Sequence, residues 1–296
     1  MMLGFGRKAA VVAASAGPVL ELSSERLRRA FADLVQSAEA SGGIERYVTA
    51  LALKASLFEE LLGKGRLETL TETEFLDLAA FVTPVRRRIG AWLSENSFDL
   101  LRTRLIRLME GWSETGSADR RMAGFCAAFP LDKTHRWARD LAAEVLHFTA
   151  PDRYPLMARW IWDARVTTGA LREIWHGEDV DYVKIEVADD LATFVTLSAE
   201  LEGFLAGEGV FRDLPLYTDL LLAHVYAGYV NDRGGQYLRS DFTTEGDPMQ
   251  HTRRMLGLDA VDTETGRTRL RLIDGTAYVL GGLPALAAPE VTDAHS

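Results

Sequence analysis

The chain predicts a mainly α fold: a multi-helix, bundle-like body with a small C-terminal antiparallel β hairpin or meander. Three observations carry this expectation. Apolar residues recur three and four apart through most of residues 23–230, the period of a helix with one buried face. Helix start and stop signals punctuate the same region, among them Ser23, Thr71-x-x-Glu74, Ser97 and the glycine pair Gly42-Gly43. The clearest period-two alternation comes late, in Thr268-Arg-Leu-Arg-Leu-Ile273. It is followed by Asp274-Gly275, a dipeptide that favours a tight hairpin turn with both central residues at positive φ.

The organisation expected is an extended arm over 1–22, a helical body over 23–230, a loop with a small β appendage over 231–282, and a disordered tail over 283–296. Ser23 caps a helix to about residue 40, with Leu27, Phe31, Leu34 and Val35 as its inner stripe. A second helix spans 44–62, with Tyr47, Leu51, Phe58 and Leu62 on one face and glycines after it. Thr71 and Glu74 form a capping box, each side chain satisfying a backbone donor of the helix start. Pro84 removes a donor inside that helix, which predicts a kink or a new helix from Thr83. Ser97 starts a helix with Leu100, Leu101, Leu105, Leu108 and Met109 inward, and a short helix over 117–129 follows. Asp132 or Thr134 caps a helix to 148. Pro155 opens another to about 164, the two making an αα-hairpin that holds Trp137, Trp160 and Trp162. Residues 180–187 alternate partly and suggest a strand. Helices over 189–205 and 216–230 complete the body, and a turn or two of helix is expected over 248–256.

Composition is that of an ordinary globular protein: 47% hydrophobic and 26% charged over 296 residues. The single cysteine, Cys126, excludes internal disulfides and sits in an apolar context that suggests an inert thiol. No run of about 18 or more apolar residues occurs, so no membrane span is expected. The first sixteen residues outline a weak signal peptide, but their apolar run is short and alanine-rich. A cytoplasmic arm is the favoured reading. Net charge is −10, unevenly spread. Between Val82 and Arg139 eleven basic residues face six acidic ones, which leaves the rest of the chain strongly acidic.

Two Glu-x-x-His patterns stand out, Glu144/His147 and Glu173/His176, because residues three apart share a helix face and both can reach one ion. Paired in this way they resemble the ferritin-like di-iron carboxylate proteins. The resemblance implies a helical-bundle enzyme with a di-iron or other divalent metal centre on these four residues. Glu110 and Glu200 are the only candidates offered for the two glutamates the motif still lacks. The helical wheel argues otherwise. Glu144 and His147 fall with Asp140 and Arg136 on the side opposite Val145 and Leu141, the side expected to face water.

Arg86, Arg87, Arg88, Arg102, Arg104 and Arg107 suggest a surface for an acidic partner, with nucleic acid as the lesser alternative because no known reading module accompanies them. Trp162 lies off the main inner stripe, where it either meets a neighbouring helix or serves as an exposed partner anchor. The polar loop after His224 and Tyr226 offers Asp232, Arg233 and Asp241. No P-loop, G-x-G-x-x-G after a strand, G-x-S-x-G, H-E-x-x-H or paired C-x-x-C occurs. The function expected from the sequence is therefore a cytoplasmic interaction or accessory protein with a protein partner, without a cofactor or a catalytic centre of its own.

Overall fold

The computed structural model describes residues 17–63, 65–177, 180, 182–234, 247–260, 267–272 and 277–279. Twelve α-helices account for most of them. They are α1 Ser24–Glu39, α2 Ile44–Leu62, α3 Glu72–Ala80, α4 Thr83–Arg86, α5 Ile89–Glu95, α6 Phe98–Met109, α7 Ala118–Ala127, α8 Trp137–Thr149, α9 Ala170–Glu173, α10 Leu191–Gly207, α11 Leu214–Gly234 and α12 Gln250–Met255. The fold is mainly α, and no helix among the described residues is long and apolar enough to cross a membrane.

Local signals set most of the boundaries. Ser23 accepts from the Arg26 amide, Ser97 from Asp99 and Asp190 from Thr193, each satisfying a donor that a helix start leaves open. The Thr71/Glu74 capping box forms as expected, and Pro84 sits in the first turn of the new helix α4. Helix α8 begins at Trp137, later than expected. Asp132 instead closes the preceding turn by accepting from the Thr134 and His135 amides. Two positions expected inside are exposed, Leu100 at 41% and Val35 at 37%.

Helix α8 is the centre of the body. It packs against α2, α4, α6 and α7, and α11 packs against α1, α2, α9, α10 and α12. An aromatic cluster of Trp92, Phe125, Phe129 and Trp137 fills one end of α8, with ring centroids 5.1–6.1 Å apart.

The expected αα-hairpin does not form. Residues 150–169 run as turns and irregular chain, and yet Tyr154, Leu156, Met157, Ala158, Ile161 and Trp162 are all buried there. The backbone closes on itself instead of on a helical ladder: Ala170 donates to Trp160 (2.9 Å), Leu171 to Ile161 (3.0 Å) and Asp163 to Thr168 (3.0 Å). Gly169 makes the closure fit. Its φ is +136°, and a side chain there would put Cβ 2.4 Å from the Ile161 carbonyl oxygen. Apolar residues at helical spacing were the misleading signal; a buried loop needs apolar residues as much as a helix does.

The strand suggested over 180–187 does not form at its described residues, 180 and 182–187. The arm docks at its described end: the His176 amide donates to Glu21 O, and the Ser23 amide to Ile174 O. Two short strands, β1 Arg267–Arg271 and β2 Ala277–Val279, pair antiparallel with an irregular register. The Asp274-Gly275 turn, a third strand of a meander, the leader-like residues 1–16 and the tail over 283–296 lie outside the described residues.

Candidate functional site

The charged stripe of α8 is not at the surface. Asp140, Glu144 and His147 are 4%, 3% and 1% exposed, against the expectation that this side faces water. Neighbouring elements cover α8 all round and bring partners for each charge. Lys54 of α2, itself 2% exposed, donates to Glu144 Oε2 at 2.6 Å, to Leu256 O at 2.9 Å and to Phe81 O at 3.1 Å. Only an ammonium offers three donors, so the pair is ionised. Its nitrogen also lies 4.0 Å from the Phe148 ring centroid. Burial pushes the Lys54 pKa down and the Glu144 pKa up, and the charge of each opposes the shift of the other.

One turn on, His147 Nε2 lies 2.6 Å from Asp219 of α11, and Nδ1 lies 2.7 Å from Tyr154 O. Both ring nitrogens face acceptors, which is the pattern of an imidazolium. Burial alone would lower the His147 pKa; the Asp219 carboxylate, together with the Tyr154 carbonyl and Glu144, outweighs it and the pKa rises. Asp140 receives two bonds from Arg159, at 2.6 and 3.2 Å. Burial raises its pKa, and Arg159 opposes the shift. Lys54, Glu144, His147 and Asp219 thus form a row of alternating charge that ties α2, α8 and α11 together.

That row corrects the metal expectation. Glu144 and His147 are already committed to Lys54 and Asp219. Glu173 and His176 line a different cleft, of ≈ 850 Å³, together with residues of α1 and α11. The two pairs do not meet. Among the described residues no group of three or more His, Cys, Asp or Glu side chains is placed to hold a metal ion.

The ≈ 850 Å³ cleft holds an arrangement with no sequence signal. His224 Nε2 lies 2.7 Å from Asp33 Oδ2, and Nδ1 lies 3.1 Å from the Thr252 hydroxyl. Hydroxyl, imidazole and carboxylate stand in the order of a nucleophilic relay. Thr252, however, is fully buried and does not line the cleft, so its hydroxyl cannot meet a substrate. Asp33 and His224 are 191 residues apart, which is why no motif announced them. Asp232 and Arg233 fall in the last turn of α11, outside the described side chains, and Asp241 lies outside the described residues.

The arginine-rich segment is divided between inside and outside. Arg86 is 2% exposed and grips Asp259 with two bonds, at 2.9 and 3.2 Å, so it is not available to a partner. Arg102 bonds Asp99 and Leu70 O, and Arg104 stacks 4.4 Å above the Phe129 ring centroid. Arg87, Arg88 and Arg107 are exposed. Trp162 is fully buried and donates its indole N–H to Val187 O at 3.1 Å, which corrects its reading as an exposed anchor.

Free positive charge collects elsewhere, around a cleft of ≈ 610 Å³ between the end of α7, the start of α8 and the loops at 163–165 and 189. Lys133, Arg136, Arg139, Arg159 and Arg165 line it against Asp132, Asp163 and Asp189. Arg139 is paired with Asp189, and Arg159 with the buried Asp140. Lys133, Arg136 and Arg165 are exposed, and their side chains have no hydrogen-bond or ion-pair partner among the described residues; the Arg165 backbone amide donates to Asp163 Oδ1. Leu131, 98% exposed, stands at the same rim. Lys133, Arg136 and Arg139 belong to the basic run counted in the sequence; Arg159 and Arg165 come from the loop that replaces the expected second helix. No protein-family model, curated protein or solved structure matches this chain.

Proposed function

We propose that the chain is a helical interaction protein that receives an acidic segment of a protein partner in the ≈ 610 Å³ cleft. One observation carries this reading: three cations whose side chains are unpaired among the described residues and a fully exposed leucine share one rim, in a chain whose net charge is −10. Unpaired like charges held side by side repel each other, and an anionic partner relieves that repulsion and speeds encounter. An exposed leucine beside them offers apolar surface that a bound segment would cover. A catalytic reading has less support, because the Thr252 hydroxyl is closed off and the Glu-x-x-His pairs stay apart. Nucleic-acid binding through residues 86–107 has less support as well, since Arg86 is held inside by Asp259.

Fluorescence anisotropy tests the proposal. A labelled glutamate-rich peptide carrying one leucine is titrated with the full chain, alongside a lysine-rich peptide of the same length and a single-stranded oligonucleotide. The acidic peptide is expected to bind, the lysine peptide not, and the affinity to fall roughly tenfold or more when Lys133, Arg136 and Arg165 are all changed to Glu. Equal binding of acidic and basic peptides, tighter binding of the oligonucleotide, or indifference to the triple reversal would overturn it.

A further inference from the structure

Beside the cationic cleft, on the side of α10, lies a second, inner space, an open groove of ≈ 390 Å³ lined by Met122, Ala123 and Met157 together with Asp119 and Asp190. The two spaces share Cys126, Arg139 and Asp189 as walls, so the Arg139–Asp189 ion pair is the partition between them. Two carboxylates of the inner space each have one oxygen engaged by a backbone amide. Asp119 accepts from the Leu191 amide, and Asp190 from the Thr193 amide, both at the start of α10. The surface the groove leaves accessible is mostly sulfur and methyl.

We propose that the acidic segment bound by the cleft carries a long aliphatic side chain beside its carboxylates, and that this side chain passes the Arg139–Asp189 pair and lodges against Met122 and Met157. This inference rests on the acidic-partner reading and specifies its ligand. Two features of the geometry orient the ligand. The free cations, Lys133, Arg136 and Arg165, line the outer space only, so carboxylates stay outside. The inner walls offer two thioethers, which adapt readily to an unbranched or γ-branched chain.

Cys126 is the only cysteine in the chain, half-buried at the boundary, and therefore a reporter of occupancy. Burial raises its thiol pKa, so alkylation by iodoacetamide is slow and easily timed at mildly alkaline pH. The experiment compares two acidic peptides differing only in Leu or Ala at the central position. Binding is expected to be roughly tenfold tighter with Leu, and the Leu peptide to slow Cys126 alkylation severalfold. Ala123→Phe, which fills the inner space from an exposed helix position, is expected to erase the difference between the peptides. Asp189→Asn removes the competing carboxylate and is expected to tighten the Leu peptide severalfold, whereas a purely structural partition would only lose stability. If both peptides bind equally, or alkylation is unchanged at saturation, the inner-groove assignment fails while the acidic-partner reading stands. If neither peptide binds, both fail. Protection of Cys126 by octanoate with no peptide binding would assign the site to a small aliphatic acid and overturn the peptide ligand.

Discussion

The two Glu-x-x-His pairs have the same spacing and opposite fates. Glu144 and His147 lie in a helix covered on all sides, where Lys54 and Asp219 meet them at 2.6 Å each. Glu173 and His176 straddle the end of the four-residue helix α9, with His176 exposed at the wall of an open cleft. Spacing places two side chains on one face. What that face meets is decided by chain far away in sequence: Lys54 lies 90 residues before Glu144, and Asp219 lies 72 after His147. The first pair is part of what holds α2, α8 and α11 together, and the second is a surface feature.

The contrast breaks most violently at Lys54. Lys54→Met leaves Glu144 buried without its counter-ion, in a site where burial already favours the protonated carboxyl. Stranding one member of a buried pair costs about 3–5 kcal/mol, so urea denaturation should show a loss of that size or no folded protein. The double change Lys54→Met with Glu144→Leu removes both charges and should recover most of the loss. A double variant no more stable than Lys54→Met alone would show that the two residues act independently and that the ion row is not one unit.

Much of this fold was legible because caps and stops are local. Ser23, Thr71 with Glu74, Pro84 and Ser97 each act within one turn, and each did what its neighbours dictate. The stripe of Asp140, Glu144 and His147 was misread for the opposite reason. A helical wheel gives the angle of a side chain but not the number of neighbours around the helix, and α8 has them on every side. The segment 155–164 was misread because apolar spacing outweighed the turn formers around it, Pro151, Pro155 and Gly169. The candidate cleft was little legible: the basic run includes Lys133, Arg136 and Arg139, but the partner surface expected from it lay on Arg86 to Arg107. Nothing local said that Arg159 and Arg165 join them, or that Arg86 turns inward to Asp259.

A gentler disturbance acts through pH. His147 holds its proton more tightly folded than unfolded, so its contribution is complete below the ordinary imidazole value of 6.5 and is lost as pH climbs through the raised folded value. Glu144, also raised, weakens stability in the same direction above its ordinary 4.5, while Lys54, lowered, opposes both from the alkaline end. Asp219→Asn removes the carboxylate that raises His147. Thermal or urea unfolding should show the variant about 2 kcal/mol less stable near pH ~6, with the gap narrowing toward pH ~9. A gap that stays constant across that range would mean His147 does not carry the proton.

The second pair sharpens the comparison by doing little. His176 is exposed, and the bond that ties its residue into the fold, to Glu21 O, comes from the backbone amide. His176→Ala keeps that amide and removes only the ring, so urea unfolding should place it within about 0.5 kcal/mol of the parent. The same substitution at His147 removes a ring bonded at both nitrogens and leaves Asp219 buried without a counter-ion, which costs several times as much. A loss above about 1 kcal/mol for His176→Ala would mean that the surface pair is built into the fold as firmly as the buried one. The opposition between the two motifs would then collapse into a difference of degree.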